Sequence, residues 1–543
     1  MTRKIETLVE TLVIDNFHGS MTPYVDGELN SGLTNVVEVF GYDPFVKPGN
    51  LTWYESATQI DAAGNVITDL IVAGKTRVES GILYNYCIGH TGRLYKIQVN
   101  DPTTYNPNYD TPVLLATLSS NSPTFTMGGF IDFFGGTQKI YIGHDKGVTS
   151  INFDGTGEAF VGVLGSWTQN VPRPLSQFLG NLYVGNGANI AEIISGGTVS
   201  TYTKLTPAFP AATQVRDIDI TPEGTYLHMV VTETALTSIL ATTPTISNLS
   251  AADSFVFKWN GTDVGYTSFV TYPGITLSAN LLFGQNQYVF GYDVRGGGIY
   301  NPDRKLLTSS PNSAFGESPS PNAVFGATNM LYTANPLPYD GQLEMLLTMY
   351  GTPSEFEIKS GYWCPFGQPA QGTETDVLRI PYAQPVSNFA QGASSNGYTD
   401  NIYGVPKMYF STLETSATPT TKYKLYKWNL APNGLGDALV DAVYQTQNQP
   451  FSKKIQVSEV RVYGEPWVAD NAFLVDLIGS GGTPISGASK TFIAGSNLTV
   501  GADFAKYTPQ MSPTYTAGLR FTNLGTVNHT IMKAEIDYYL AGT

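Results

Sequence analysis

Alternating apolar and polar positions recur in three similar stretches of the chain. Residues 82–101 read ILYNYCIGHTGRLYKIQVND, residues 139–155 read KIYIGHDKGVTSINFDG and residues 180–197 read GNLYVGNGANIAEIISGG. In each stretch an apolar run meets a Gly-containing turn and a second alternating run follows, which is the pattern of a β-hairpin. The shared position is a glycine, at Gly89, Gly143 and Gly185, with spacings of 54 and 42 residues.

A repeat of 40–50 residues with about four strands is typical of a β-propeller blade. Less regular copies follow along the chain, at 253–261, 280–300, 329–351 and 407–434. Counted from residue 67, about seven such units fit before residue 450. One four-stranded sheet cannot bury both faces alone, whereas sheets packed around a ring can. The sequence therefore predicts an all-β fold with a propeller of about seven blades.

The pattern changes after QNQPFSKK, residues 447–454. A one-residue slip of the alternation at Glu459 predicts a β-bulge. The last strand predicted, within HTIMKAEIDYYL, places apolar residues on one face, namely Met532, Ala534, Ile536, Tyr538 and Leu540. Alternating strands with Gly-rich and Pro-rich turns favour a C-terminal β-sandwich of jelly-roll type.

We therefore expect three regions. Residues 1–66 form an N-terminal strand or arm that contributes to propeller closure, residues 67–449 form the propeller, and residues 450–543 form the sandwich. Residues 435–444, LGDALVDAVY, are interpreted as the strand that closes the last blade.

Composition narrows the classes of function. Charged residues make up 13% of the 543 residues and the formal net charge is −15, which disfavours binding to nucleic acid or to anionic lipid. Two cysteines, Cys87 and Cys364, exclude a disulfide framework and a cysteine-based metal site. The N-terminus lacks the pattern of a secretory signal and no run is long enough for a membrane helix. We expect a soluble product made in the cytoplasm, without membrane insertion.

Carboxylates on innermost strands are the equipment of propeller glycosidases. The candidates are Asp132, Asp217, Asp219 and Asp293. Asp217 and Asp219 lie two residues apart and so share a strand face, which a merely polar face also explains. Sialidase-type Asp boxes are missing and the ten arginines are scattered. The prediction is that none of these residues is catalytic.

Two histidines, His90 and His144, occupy equivalent repeat positions and are candidate metal ligands. The third copy has Asn186 there. Histidine and asparagine both cap turns, so the exchange favours a turn-capping role over metal binding. Oxygen-rich turns at 154–158 and 260–263 are candidate calcium loops, and the Tyr-rich segment 397–404 could stack on sugar rings. We expect plain turns, with no metal and no cofactor.

The N-terminal segment 14–56 resembles the opening of propeller-type virion proteins of tailed bacteriophages. The likeness rests on Ile14, Phe17 and Gly19, which match an I-x-x-F-x-G strand, and on the run Lys47-Pro48-Gly49-Asn50-Leu51. It extends loosely over the propeller and a terminal sandwich that begins at KKIQVSEVRV. The resemblance implies a structural part of the virion, in the tail or at its connection to the head.

The expected function is thus that of a non-enzymatic virion component. Its loops and C-terminal sandwich would contact other virion proteins, as a homo-oligomer or ring, or a host-surface glycan. Two alternatives stay open: a glycan-active propeller hydrolase and a carbohydrate-binding host-recognition protein.

Overall fold

The structure is a computed structural model. It describes residues 9–15, 17, 36–40, 42–43, 50–53, 58–60, 67, 69–80, 82–99, 112–135, 139–220, 224–233, 253–273, 442–527 and 529–541, together with the strands that lie between residues 275 and 429. For those strands, backbone positions are described, with side chains at Tyr409, Ser411 and Leu425.

Before the repeats, the structure describes five short strands. They are β1 (Glu10–Ile14), β2 (Val36–Phe40), β3 (Tyr42–Asp43), β4 (Leu51–Trp53) and β5 (Thr58–Gln59).

In the described part of the chain, the repeats form seven antiparallel sheets of four strands, which we number in chain order. Sheets 1 to 3 contain β6 (Ile71–Glu79), β7 (Ile82–Gly89), β8 (Arg93–Gln98) and β9 (Pro112–Thr117); β10 (Phe130–Phe134), β11 (Lys139–His144), β12 (Gly147–Ile151) and β13 (Ala159–Phe160); and β14 (Leu175–Phe178), β15 (Asn181–Gly185), β16 (Ile190–Ile193) and β17 (Val199–Thr201). Sheets 4 and 5 contain β18 (Thr213–Ile220), β19 (Leu227–Glu233), β20 (Asp253–Trp259) and β21 (Ser268–Pro273); and β22 (Ile275–Phe283), β23 (Asn286–Asp293), β24 (Gly296–Tyr300) and β25 (Leu306–Ser309). Sheets 6 and 7 contain β26 (Val324–Ala327), β27 (Met330–Pro336), β28 (Leu343–Tyr350) and β29 (Ile358–Trp363); and β30 (Leu378–Pro385), β31 (Lys407–Glu414), β32 (Tyr423–Asn429) and β5.

The seven sheets are arranged as a ring. The first strand of each sheet lies beside the first strand of the next, and β30 of sheet 7 lies beside β6 of sheet 1. Buried apolar side chains fill the spaces between neighbouring sheets: Ile88 of sheet 1 packs with Ile140 of sheet 2, and Leu425 of sheet 7 packs with Ile97 of sheet 1. This is the arrangement of a β-propeller, and the prediction of an all-β fold with about seven four-stranded units is confirmed.

The three glycines of the repeat occupy equivalent places. Gly89, Gly143 and Gly185 each lie at the carboxyl end of the second strand of a sheet. A Cβ atom at Gly143 would lie 2.3 Å from the backbone oxygen of Arg173, and one at Gly185 would lie 2.7 Å from the ring of Pro174. Only glycine lets the incoming segment pass so closely, which explains why these positions repeat.

The N-terminal strands do not all serve the ring. Strand β5 is the outer strand of sheet 7, with Thr58 opposite Lys427, so the chain closes the ring with a segment from its own beginning. Residues 435–444 do not supply that strand: within this segment, residues 442–444 are described, and Val443 and Tyr444 belong to a strand of the C-terminal sheet. A closing strand from the N-terminus ties the two ends of the repeat array together by backbone hydrogen bonds.

Eleven of the described strands form the C-terminal sheet. Four are β1 to β4, and the others are β33 (Val443–Thr446), β34 (Gln449–Gly464), β35 (Ala472–Ile478), β36 (Pro484–Ile493), β37 (Phe504–Tyr507), β38 (Thr514–Asn523) and β39 (Thr530–Leu540). Strand β38 pairs with β33, β34 and β35 and so joins the two halves of this sheet. The jelly-roll sandwich stays a prediction.

The pairing of β34 with β39 contains the predicted β-bulge near Glu459. The bulge is confirmed, because Val457 pairs with Tyr538 and Glu459 with Asp537, which leaves Ser458 as the extra residue. In β39, Ala534, Ile536 and Tyr538 are buried. Met532 and Leu540, at the two ends of this strand, are exposed, so the apolar face is shorter than predicted.

The residues that carry the N-terminal resemblance lie partly in the described structure. Phe17 is fully buried with its ring edge-on to Tyr444 and Phe521, and the hydroxyl of Tyr444 donates a 2.7 Å hydrogen bond to its backbone oxygen. Leu51, in β4, is buried as well. Gly19 and residues 47–49 lie outside the described residues. The described matches attach the N-terminal segment to the C-terminal sheet.

Apart from two 3₁₀ helices, Leu164–Ser166 and Ser480–Gly482, every described element is a strand. In the described part of the chain, no helix has the length and apolar character needed to cross a membrane.

Candidate functional site

The turn between the second and third strands of sheet 1 contains His90. Its Nδ1 accepts a 3.1 Å hydrogen bond from the backbone N–H of Leu70 and lies against the carboxylate of Asp69. Asp69 also accepts hydrogen bonds from the backbone and the hydroxyl of Thr91. These contacts fix the turn to the segment that leads into the first strand of the same sheet.

The equivalent turn of sheet 2 contains the buried His144. The backbone N–H of Lys146 donates to Nδ1 at 3.3 Å, and Nε2 lies 3.1 Å from the hydroxyl of Thr149. Burial, helped by the nearby positive charges of Arg173 and Lys146, lowers the pKa of His144 to about 3. The imidazole is therefore neutral near pH 7 and works as a hydrogen-bonding group within the turn.

In sheet 3 the same place is taken by Asn186. Its Oδ1 accepts hydrogen bonds of 2.9 Å from the backbone N–H of Thr168 and from the guanidinium of Arg173. Its Nδ2 donates to the backbone oxygen of Tyr202 at 2.9 Å. All three residues thus bond to backbone groups around the turn, which favours the turn-capping interpretation.

Buried aspartates also stabilise these turns through hydrogen bonds, and the sequence analysis does not predict this. The buried carboxylate of Asp145 accepts hydrogen bonds from the backbone N–H groups of Thr126 and Met127, at 2.8 and 3.0 Å, and from the Thr126 hydroxyl at 2.5 Å. Asp69 links the same two segments in sheet 1, but the carboxylate is on the other partner. It lies before the first strand and accepts hydrogen bonds from the turn. In the sequence, this interaction is indicated by the aspartate that directly follows Gly143-His144.

Asp132 connects three neighbouring sheets. It lies on β10, the first strand of sheet 2, and its carboxylate is buried. It pairs with the ammonium of Lys75 on the first strand of sheet 1 at 2.6 Å, and it accepts a 3.1 Å hydrogen bond from Gln177 on the first strand of sheet 3. Sequence alone identified the carboxylate but not these partners.

Asp217 and Asp219 both lie on β18, the first strand of sheet 4. Ile218 between them is buried while both aspartates are half-buried, as expected when they share a face. The Asp219 carboxylate accepts a 2.8 Å hydrogen bond from the backbone N–H of Ile220.

Asp293 was predicted on an innermost strand, and this is wrong. It ends β23, the second strand of sheet 5, opposite Gly296. The sequence analysis interprets residues 280–300 as one unit. This segment begins inside the first strand of sheet 5, so the aspartate falls after the turn, in the second strand. The four candidate aspartates thus belong to strands of sheets 2, 4 and 5.

The two candidate calcium loops form self-contained turns. Asp154 accepts hydrogen bonds from the backbone and hydroxyl of Thr156, at 2.9 and 2.6 Å. Asn260 accepts from the backbone N–H groups of Thr262 and Asp263, at 3.0 and 2.9 Å. Among the residues that the structure describes, no group of three or more His, Cys, Asp or Glu side chains could hold a metal ion. The Tyr-rich segment 397–404 lies outside them.

One end of sheets 3 and 4 presents exposed apolar side chains, which we call the apolar face: Leu179, Ile194, Val264 and Phe269. Leu179 lies in the turn between the first and second strands, and Ile194 and Val264 lie between the third and fourth strands, so antiparallel pairing places all three at the same end of the sheets. A Cβ atom at Gly261 of sheet 4 would lie 2.5 Å from Leu179, which shows that the two sheets meet at this end.

Leu179 has a backbone angle φ of 48°, in the left-handed region that bulky side chains rarely adopt. Its side chain is nonetheless 61% exposed, and those of Val264 and Phe269 are 72% and 50% exposed. An exposed group of apolar residues of this kind is typical of a contact surface.

Comparison with known proteins adds little. No family model matches the chain and no curated protein matches it in sequence. Among solved structures, the mitotic checkpoint complex contains a similar chain at 10% identity and a TM-score of 0.39, over 69% of this chain and 94% of that one. The WD40 domain of Neurospora crassa Pan2 is similar at 8% identity and a TM-score of 0.39, over 70% and 97% of the two chains.

A third similar structure is the extracellular domain of a one-component system from B. thetaiotaomicron, at 11% identity and a TM-score of 0.35. It covers 90% of this chain and 63% of that one. Likenesses this distant carry no argument about function, and the fold rests on the strand pairings themselves.

Proposed function

We propose that this protein is a non-enzymatic structural component of a tailed-phage virion, located in the tail or at the connection between head and tail. The ring acts as a rigid disk, and its loops and the C-terminal strands contact neighbouring virion proteins or a host-surface glycan. The N-terminal resemblance around Ile14 and Phe17 supports this assignment, as does the low content of charged residues, which suits a surface covered by neighbours.

The position of Asp132 supports a scaffold role. A carboxylate that serves as a general acid or nucleophile must face its substrate, whereas that of Asp132 is buried and engaged by Lys75 and Gln177. These contacts hold the first strands of sheets 1, 2 and 3 together, so the side chain best placed for catalysis by its strand is used to stiffen the ring.

The observation that carries the proposal is the apolar face of sheets 3 and 4. Phe269 packs on the buried ring of Phe257 at a ring-centre distance of 5.3 Å, whereas Leu179 and Val264 are 61% and 72% exposed. The exposure of these two apolar side chains to water is unfavourable. A partner in an assembled particle would bury these side chains. An enzyme that works alone in solution would have no need for such a surface.

Replacement of residues at this face tests the proposal. We expect Leu179→Asp and Val264→Asp to leave the ring folded and to lower incorporation of the protein into purified phage particles at least tenfold, measured by quantitative mass spectrometry. Val163→Asp is the matched control, because Val163 is 64% exposed but follows the fourth strand of sheet 2, at the opposite end of the ring. Absence of the wild-type protein from purified particles would end the proposal.

The glycan-active alternative makes a different prediction. A hydrolase would release reducing sugar from bacterial surface polysaccharide, and Asp132→Asn, Asp217→Asn or Asp293→Asn would abolish the release. Binding on a glycan array without release would instead favour host recognition. We expect no release from either wild type or variants.

A further inference from the structure

The first strand of sheet 4 contains a β-bulge at Arg216. The register of β18 with β19 shifts between Val215 and Asp217, so Arg216 is the extra residue of β18. Val215 and Ile218 both pack into the core between sheets 3 and 4. The two residues between them, Arg216 and Asp217, therefore lie together on the opposite face of the sheet. This face is directed toward sheet 5, whose first strand β22 lies beside β18 and β19.

The guanidinium of Arg216 is buried without a partner. The residue is 2% exposed. Within the part of the chain that the structure describes, neither Nε nor Nη2 makes a hydrogen bond and no carboxylate forms an ion pair with the group. Burial lowers the pKa of Arg216 to about 10, so the side chain keeps its positive charge near pH 7. A buried charge is strongly unfavourable unless an opposite charge and hydrogen bonds compensate it.

Two other side chains on this face have buried polar atoms without a partner. Thr232 follows Val231, which packs toward sheet 3, and so points to the other face. It lies opposite Gln214, two residues before Arg216. Among the described residues, no hydrogen bond reaches the Thr232 hydroxyl or Oε1 of Gln214. A hydroxyl can donate, and a half-turn of the amide presents its NH₂ group, so three neighbouring side chains offer donors on one face.

The adjoining strand of sheet 5 brings no compensating charge. Strand β22 reads ITLSANLLF and contains neither Asp nor Glu. Water could accept hydrogen bonds from the guanidinium, but it would not neutralise the charge. An anion does both, because hydrogen bonds between charged groups are the strong ones. One positive charge is balanced by one negative charge, so a monovalent anion fits this position better than a divalent one.

We propose that Arg216, Thr232 and Gln214 form a binding site for a small monovalent anion of the chloride type, on the face of sheet 4 that is directed toward sheet 5. The guanidinium neutralises the anion, and the hydroxyl and the amide complete its shell of donors. This inference does not depend on the virion assignment. It makes the stability of this part of the ring depend on halide concentration.

Hydrogen exchange of the full-length protein tests the site in solution. Sodium chloride is compared with sodium gluconate at equal ionic strength, because gluconate is too large for a buried site. We expect residues 213–220 and 227–233 to be at least about threefold better protected in chloride, since an anion bound to the folded sheet opposes its opening. Residues 139–151 of sheet 2 should be equally protected in both salts. Equal protection of sheet 4 in the two salts would overturn the inference.

Arg216→Met makes the test specific, because it removes the charge and keeps a long buried side chain. This variant should lose the chloride effect, and in gluconate its sheet 4 should be at least as well protected as that of the wild type. Arg77→Met is the matched control in sheet 1, where the guanidinium lies over the ring of Phe153, and it should retain the chloride effect in sheet 4. Persistence of the effect in Arg216→Met would contradict the site.

Crystals of the wild-type protein grown in sodium bromide locate the anion, and they decide the matter if Arg216→Met does not fold. Bromide replaces chloride and is identified by its anomalous scattering. We expect an anomalous peak within hydrogen-bond distance of Nε or Nη2 of Arg216. A map with bromide only at other positions, or with none, would overturn the inference.

Discussion

Sheets 1 to 4 and the C-terminal sheet both consist of antiparallel strands, but the paired strands are separated by very different numbers of residues in the sequence. In sheets 1 to 4 each strand pairs with its neighbour in sequence. In the C-terminal sheet, β1 pairs with β39, so that Leu12 lies opposite Ile536. Sheets 1 to 4 can therefore form hairpin by hairpin, whereas the C-terminal sheet requires strands from both the N-terminal and the C-terminal segments.

This difference locates the weak point of the molecule. The N-terminal segment supplies four strands to the C-terminal sheet and one to sheet 7. A repeated unit can lose a loop without consequence for distant units, while the loss of the first strands exposes the long edge of β39. The two regions should therefore respond differently to the same kind of change.

Removal of residues 1–54 should have the largest effect. It deletes β1 to β4 and retains β5, so the ring keeps its closing strand while β39 loses its partners and Tyr444 loses Phe17. We expect complete loss of protease resistance in residues 442–541, with resistance of sheets 1 to 4 retained, measured by limited proteolysis and mass spectrometry.

Truncation of residues 1–8 is the matched control for that deletion, because it ends before β1. It should leave the resistance of both regions intact. Intact resistance of residues 442–541 after removal of residues 1–54 would show that the C-terminal strands fold by themselves.

Within the ring, Gly143→Ala should have the next largest effect. The new Cβ atom would lie 2.3 Å from the backbone oxygen of Arg173, so the segment that enters sheet 3 must shift. We expect the ring to lose about 2–3 kcal/mol of unfolding free energy in urea. Gly196→Ala is the control, because a Cβ there meets nothing within 4 Å; equal losses in both variants would contradict the close approach.

Asp132→Ala should have a smaller effect of the same kind. It leaves Lys75 and Gln177 without their shared acceptor but creates little empty volume, so a loss of about 1–3 kcal/mol is expected. Asp154→Ala replaces an exposed turn residue and should change stability much less than Asp132→Ala does. Urea unfolding monitored by tryptophan fluorescence measures both, and a loss at Asp154 as large as that at Asp132 would argue against the tie between sheets.

The same contrast explains how much could be predicted from sequence. The repeated positions Gly89, Gly143 and Gly185 could be predicted because each repeat needs a glycine at the same place, where another segment passes close to the backbone. The sequence predicts that residues 1–66 contribute to ring closure, but it does not identify Thr58–Gln59 as the closing strand or Glu10–Ile14 as a partner of β39. These pairings depend on residues hundreds of positions away, and the sequence of a short strand does not indicate its partner. The bulge at Glu459 was readable because it shifts the alternation itself.

The chemistry of the candidate residues was less predictable than their positions. His90, His144 and Asn186 revealed a turn role through their exchange, but Asp145 and the partners of Asp132 emerge only when neighbouring segments are placed side by side. Asp293 was misplaced because an irregular repeat hides which strand comes first. The apolar face was missed because Leu179 and Val264 are inconspicuous in sequence and become a surface only when sheets 3 and 4 meet.

The central claim is that a strand from the beginning of the chain completes a ring built from its middle. A disulfide between Thr58→Cys and Lys427→Cys, which lie opposite each other in β5 and β32, tests it most directly. Under mild oxidation we expect the 58–427 linkage as the main crosslinked peptide in monomeric full-length protein, identified by mass spectrometry without reduction. Absence of this linkage, with residue 58 joined instead to Cys87, Cys364 or a second molecule, would contradict closure of sheet 7 by β5.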